Sequence, residues 1–217
     1  GAELVIGDAY NFLQTIQLVD GATTIYQCAQ PAYHKWEQEF PNLQNAMIEL
    51  ANVSKSKLIV AENLYMYGKA SAANMTEKTP YEPCSKKGKV RTEMTKVLFD
   101  AHANGFIRAA SVRGSDFFGP WEPNNGERIF KAALNRKPIN MLGKLDQPHS
   151  FTYVKDFGKA LAIAGTNDKT LGRAWHVPSG KAYTQQEIVD IIAKQLGYEL
   201  KARTAGKFIL NLKNGEK

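Results

Sequence analysis

The sequence predicts an α/β protein: a parallel sheet flanked by helices, followed by a smaller C-terminal lobe. Three observations carry this. Through residue 112, short apolar β-branched runs alternate with segments of helical period. After Gly119-Pro120 the alternation loosens into shorter elements. The 217 residues, 43% hydrophobic and 23% charged, suffice for one good-sized core or two small ones.

Leu4–Ile6 reads as a short strand closed by Gly7-Asp8, and Asn11–Val19 has the apolar spacing of a helix. Thr23–Cys28 (TTIYQC) is β-branched and aromatic, as strands are. Phe40–Val53 is predicted helical, with Leu43, Met47, Ile48 and Leu50 near one face. Lys57–Ala61 (KLIVA) is a buried type of strand. Ser85–Asn104 is predicted as a helix capped by Ser85, with Val90, Met94, Val97 and Leu98 as its apolar stripe. Phe106–Val112 closes the series as a strand.

Beyond residue 120 the sequence predicts a short helix at Glu127–Leu134 and strands at Pro138–Leu142 and Phe151–Val154. A helix at Asp156–Gly165 and a strand at Ala174–Val177 follow. Thr184 and Glu187 form a capping-box pattern at the start of a helix over Thr184–Gly197. The division expected is residues 1–119 for the sheet domain and 120–217 for a lobe interleaved with it.

Composition narrows the function classes. No apolar run approaches ~18 residues, so no membrane span is expected. The first residues lack the charged and apolar regions of a secretion signal. Cys28 and Cys84 cannot build a disulfide framework, and four histidines scattered at 34, 102, 149 and 176 lack metal-ligand spacing. A cytoplasmic, metal-free protein is the expectation. The net charge of +7 is spread along the chain, so nucleic acid is not an expected partner.

Several segments, taken in order, carry a resemblance. TIYQCAQP follows a Gly-Asp turn. LIVAENLYMYG (58–68) resembles a strand ending Ser-Ser-x-x-Val-Tyr-Gly, and TPYEP (79–83) the loop after it. SVRGSDFFGPW (111–121) resembles Arg-Pro-x-Asn-x-Tyr-Gly-Pro, and FTYVKDFGKAL (151–161) resembles Phe-x-Tyr-Val-x-Asp-x-Ala-x-Ala. WHVPSGKAYTQQEIVDIIAKQLG (175–197) resembles a late strand, turn and helix. Together these resemble the extended short-chain dehydrogenase/reductases of the NAD-dependent epimerase/dehydratase family. The resemblance implies a Rossmann-like sheet, NAD or NADP, and a small polar, sugar-like substrate. It leaves open a homodimer.

Two departures stand out. The Gly-x-x-Gly-x-x-Gly turn that seats a pyrophosphate at a helix N-terminus does not occur. In family terms the chain begins at the third strand, so it reads as a fragment of a larger protein. If self-standing, Leu4–Ile6 is expected to pair directly with the Thr24–Cys28 strand, or another chain to cover that edge. The catalytic Ser/Tyr/Lys set is also changed: aligned on the family pattern, Asn63, Lys87 and Arg91 stand in those places. Four-residue spacing keeps Lys87 and Arg91 on one helix face, but as two cations instead of a phenol and an ammonium.

The resemblance therefore implies catalytic roles for Asn63, Tyr65, Tyr67, Lys87 and Arg91. Only one of the two tyrosines is expected to face the cleft. It places Asp8, Cys28, Ala29, Gln30, Lys87 and Arg91 along the cofactor, with turn capping the competing role for Asp8. Arg113, Ser115, Asp116, Arg136 and His149 are the expected substrate contacts, with structural roles open for each arginine. Trp36 reads either as a lid over a ligand or as helix packing. Two function readings follow, an atypical NAD(P)-linked oxidoreductase or a non-catalytic relative that senses a ligand. Nucleic-acid binding through the basic Lys86–Lys96 stretch is a third, remote one.

Overall fold

The computed structural model describes residues 2–69 and 74–204, which divide into two compact units. The first comprises Gly1–Arg113 with Lys159–His176, and the second Gly114–Gly158 with Val177–Lys217. The chain thus leaves the first unit at Arg113, returns within a helix, and leaves again at His176.

In the first unit α1 (Phe12–Leu18) starts at Asn11, whose side chain accepts from the Gln14 amide. Then come β1 (Thr24–Gln27), α2 (Trp36–Ser54), β2 (Lys57–Glu62), α3 (Lys86–Ala103) and β3 (Arg108–Arg113). A later strand, numbered β8 in chain order (Ala174–His176), completes a four-stranded sheet of order β1-β2-β3-β8. Every pairing in it is parallel. Two-sided burial explains the composition: Leu58, Ile59, Val60, Ala109 and Ala110 are fully enclosed. Leu58, Val60 and Ala109 pack with Met47, Ile48, Leu50 and Leu98 from α2 and α3. Because the register aligns Leu58 with Ala109 and Glu62 with Arg113, and side chains alternate along a strand, Glu62 and Arg113 face those same helices.

The expected strand at Leu4–Ile6 is not formed. Its residues are outside any sheet, with Leu4 96% and Ile6 103% exposed. Three apolar residues make a strand only when a ladder partner takes their amides, and direct pairing with β1 does not occur. Among the described residues the outer edge of β1 is unpaired.

The second unit holds β4 (Asp116–Phe118), α4 (Pro123–Asn125), a π-helical turn at Gly126–Lys131 and α5 (Ala132–Leu134). It continues with β5 (Ile139–Met141), β6 (Pro148–His149) and β7 (Phe151–Tyr153). Helix α6 (Val154–Thr166) carries the chain back to the first unit. After β8 come β9 (Tyr183–Thr184), α7 (Gln185–Leu196) and β10 (Ala202–Thr204). β4 pairs with β7 and β5 with β10 in parallel, and β6 with β9 antiparallel. The capping box at Thr184 and Glu187 is present, and Ile129, Ala133, Ile139, Met141 and Val189 form the core. The basic chain end from residue 205 lies outside the described residues.

Candidate functional site

In open parallel α/β sheets ligands approach the carboxyl ends of the strands. Here those ends carry Gln27, Glu62, Arg113 and His176. Glu62 and Arg113 are register partners, both fully buried, and Arg113 Nε donates to Glu62 Oε2 at 2.8 Å. Thr95 of α3 donates to Glu62 Oε1 at 2.8 Å. Burial pushes the Glu62 carboxyl up, but Arg113 and Arg91 outweigh it and hold the group below its ordinary range. Burial likewise opposes the Arg113 charge, and Glu62 more than restores it.

Arg113 also donates to the hydroxyls of Tyr67 at 2.5 Å and Tyr81 at 2.8 Å. A guanidinium only donates, so the Tyr67 oxygen accepts from it, and the same hydroxyl shares a hydrogen bond with His176 Nε2, 2.7 Å away. Burial lowers the His176 pKa and raises that of Tyr67, which keeps both neutral in this arrangement. The His176 amide donates to Glu77 Oε1 at 2.8 Å. Arg113 and His176, register partners and the last residues of the first unit at two of its crossings, are thus joined by one phenol.

Beside this buried network stands a more open group. Tyr65–Tyr67 form a single 3-10 turn after β2, leaving Tyr65 37% exposed and Tyr67 only 2%. Just before the turn, the Asn63 side chain accepts from the Tyr65 amide at 3.1 Å. The Tyr65 and Tyr33 hydroxyls lie 3.4 Å apart. Lys87 Nζ sits 4.0 Å from the centre of the Tyr33 ring. Trp36 underlies both tyrosines, with ring centroids 5.1 Å from Tyr33 and 6.0 Å from Tyr65. It is 4% exposed and its indole donates to the Pro31 carbonyl, so it packs instead of forming a lid.

Gly88 explains how Lys87 comes so near. A Cβ there would lie 2.6 Å from the Tyr65 carbonyl oxygen, so only glycine lets the first turn of α3 close on the tyrosine turn. Ser85 fixes that turn by accepting from the Gly88 amide at 3.0 Å. Gly68, at φ +77°, has the Glu82 carbonyl where a Cβ would be, and lets the loop pass.

Arg91, one turn beyond Lys87, points inward. It is 2% exposed, donates from Nη2 to the Ala61 carbonyl at 3.1 Å, and lies 4.8 Å from the Phe40 ring centre. Its Nε and Nη1 have no hydrogen-bond partner among the described residues. Burial lowers its pKa, with Glu62 opposing.

The structure therefore brings together Asn63, Tyr65, Lys87 and Arg91 and puts Tyr67 in the buried network. Arg113, expected to meet substrate, is enclosed with its donors turned inward; the reason is its register partner Glu62. Asp8 caps its own turn, accepting from the Tyr10 amide at 3.0 Å. Cys28, Ala29 and Gln30 leave β1 exposed, although partial burial of the thiol raises the Cys28 pKa.

In the second unit Asp116 Oδ2 lies 2.9 Å from His149 Nε2. Ser115 donates to the Ser150 carbonyl at 2.8 Å, and the exposed Arg136 stacks on Tyr198. Sequence reasoning missed Arg128, which donates to Asn125 and to the Asn140 carbonyl. Burial lowers its pKa, opposed by Asp116 and Glu122. It also missed Tyr33, Glu62, Tyr81 and His176. Glu62 had a signal: a lone carboxylate ending an apolar strand, beside another such strand ending in Arg113.

A groove of ≈ 510 Å³ between α2 and α3, lined by Pro41, Val90, Met94 and Val97, shares no residue with these groups. Among the described residues no cluster of three or more metal-ligating side chains occurs, and no helix is long and apolar enough to cross a membrane.

Comparisons with known proteins bear on the family and the fold. A model of the NAD dependent epimerase/dehydratase family matches residues 2–177. The mouse decarboxylating sterol-4-alpha-carboxylate 3-dehydrogenase is 23% identical over 212 residues, 91% of this chain, and the chain spans 58% of that relative's length. A dTDP-glucose 4,6-dehydratase from Bacillus anthracis, solved with NAD, superposes with a TM-score of 0.81 at 18% identity, over 93% of this chain and 67% of that one. UDP-glucose 4-epimerase from Thermus thermophilus, also with NAD, superposes with a TM-score of 0.75 at 17% identity, over 92% of this chain and 70% of that one.

Proposed function

This chain belongs to the NAD dependent epimerase/dehydratase family, and we propose that it is an NAD(P)-linked oxidoreductase of that family with a changed catalytic set. In this reading Asn63, Lys87 and Arg91 replace the family's Ser, Tyr and Lys, and the substrate is a small polar hydroxyl or carbonyl compound. The observation that carries it is the placing of Lys87. The first turn of α3 closes through Gly88 on the tyrosine turn that follows β2, and half-buried Lys87 beside it holds its ammonium over the Tyr33 ring.

The described residues fit one end of a dinucleotide. Cys28, Ala29 and Gln30 leave β1 exposed, and the Lys87 ammonium with the Asn63 amide supplies donors suited to ribose hydroxyls. A pyrophosphate seat of the glycine-rich kind is not among the 217 residues. When bound, the nicotinamide accepts or gives a hydride; the protein orients and polarises. Lys87 meets the reacting oxygen, and Asn63 stiffens the tyrosine turn. Arg91 ties α3 to the end of β2 and adds positive charge behind Lys87. Within the second unit Ser115, Asp116, Arg136 and His149 are proposed substrate contacts. The nucleotide sugars of the solved relatives make sugar-like hydroxyls the first substrates to try.

Titrating NADH and NADPH into the natural polypeptide, with any residues encoded before Gly1, tests this by quenching of tryptophan emission. Saturable binding weakened by Lys87→Met is the expected result. Absence of binding to either cofactor defeats the reading.

A second reading, a relative that binds ligand without turnover, is favoured by the enclosure of Arg91 beneath Trp36 and Phe40. It predicts cofactor or sugar-nucleotide binding with no turnover across hydroxyl substrates. Turnover that disappears in Lys87→Met removes it.

A further inference from the structure

The reading above leaves the charge of the substrate open. We infer that Asp116 selects it: with His149 it forms, within the second unit, a contact for an uncharged molecule rich in hydroxyls, and its carboxylate turns away a diphosphate such as that of a sugar nucleotide. The inference rests on the oxidoreductase reading in taking this ligand as the substrate. The selection itself needs no cofactor.

Asp116 is the first residue of β4, and its neighbours fix its place. The Ser115 amide donates to Thr152 Oγ1 at 2.9 Å, and the Ser115 hydroxyl donates to the Ser150 carbonyl at 2.8 Å. Parallel register sets Asp116 beside Phe151 of β7. The Phe151 ring packs edge-on to His149, with centroids 4.9 Å apart, and His149 Nε2 lies 2.9 Å from Asp116 Oδ2. The two side chains nevertheless remain 49% and 42% exposed. An exposed pair of this kind adds little to stability, so its ordered placing is better explained by what it meets.

The pair offers hydroxyls what they need. His149 occupies Oδ2, while among the described residues no hydrogen bond reaches Oδ1. A carboxylate oxygen accepts, and its charge strengthens a bond from a ligand hydroxyl. The second ring nitrogen of His149 can serve a neighbouring hydroxyl, so the pair suits two oxygens of one polyol.

Charge decides against a phosphate. Arg128 is the cation coupled to Asp116, and its single charge is set against two carboxylates, Asp116 and Glu122. Its Nη1 donates to the Asn140 carbonyl at 3.1 Å and its Nη2 to the Asn125 side chain. Asn125 in turn donates to the Phe117 carbonyl at 2.5 Å, which builds Arg128 into the frame of β4. Arg136 is stacked on Tyr198, 4.4 Å from the ring centre. A phosphate brought to Asp116 therefore meets a like charge, while the guanidinium coupled to it is already committed.

The probes are UDP-glucose, followed by isothermal titration calorimetry, and a panel of uncharged hexoses and pentoses, followed by saturation-transfer difference NMR at millimolar concentration. Each is added to the natural polypeptide and to Asp116→Asn. Asparagine keeps the size and one acceptor oxygen but not the charge, so far-ultraviolet circular dichroism should be unchanged. Wild type is expected to contact at least one uncharged sugar, and Asp116→Asn to bind UDP-glucose at least tenfold more tightly than wild type does. A gain below tenfold, or a wild type that contacts no sugar of the panel, overturns the inference. NADH is titrated into wild type separately. Absence of NADH binding with the asparagine gain and the sugar contact intact supports the selection and defeats only the cofactor reading; NADH binding without that gain defeats only the selection.

Discussion

Glu62 and Arg113 show how a buried charge is tolerated at the end of a core strand. Each has no exposed side-chain surface, and each oxygen or nitrogen that matters has a partner among Thr95, Tyr67 and Tyr81. Removing one partner from such a pair leaves the other charge buried alone. Glu62→Gln is therefore expected to cost ~3–5 kcal/mol in urea unfolding, and a cost below ~1 kcal/mol would contradict the network. His176 gives a pH dependence. Its folded pKa is lowered by burial, so the unfolded chain binds more protons once the pH falls below ~6.5. Stability should be level above that value, decline as the pH falls from there toward the depressed folded pKa, and then level off. His176→Gln should flatten that part of the profile measured by thermal unfolding. Glu62, depressed in the folded state, adds stability above the ordinary carboxylate range that is lost at still lower pH. At this scale the sequence was partly legible. The i,i+4 spacing of Lys87 and Arg91 was visible, but their opposite fates were not. One meets Tyr33 and the other lies under Phe40, because of where α2 and the loop after β1 come to rest.

At the scale of elements, local signals were read well wherever capping and periodicity agree. Ser85 caps α3, and Thr184 with Glu187 makes the box that starts α7. Thr184→Ala should cost ~1 kcal/mol through the lost cap, measurable by denaturant titration. Leu4–Ile6 was misread because its hydrophobicity describes a strand only if a neighbour is there to pair with it. The two- and three-residue strands β4, β6, β9 and β10 were missed for a related reason: their pairings are non-local, and so few residues set no period. Gly88 is the element-scale residue with the sharpest consequence. In an ordinary helix Gly→Ala stabilises by ~1 kcal/mol. Here the new Cβ would meet backbone at 2.6 Å, so Gly88→Ala is expected to lower the melting temperature and disturb Tyr65. A rise in melting temperature would show that α3 does not need that approach.

For the molecule as a whole, the alternation of strands and helices was sufficient to predict a parallel sheet, and the order of weak segments pointed to the family. What the sequence alone could not convey was the separation of functions at the sheet's carboxyl edge. Tyr67, Arg113 and Glu62 are enclosed; Tyr33, Tyr65 and Lys87 remain accessible. That division depends on parallel register, which aligns Glu62 with Arg113 across a gap of some fifty residues that no local pattern spans. The central claim is that the exposed group beside Lys87 is the functional surface. Amide chemical-shift mapping during NADH addition to the natural polypeptide tests it most directly. The account predicts shifts concentrated at Cys28–Gln30, Tyr33, Tyr65 and Lys87. Shifts confined to the outer groove between α2 and α3, or none at saturating cofactor, would contradict it.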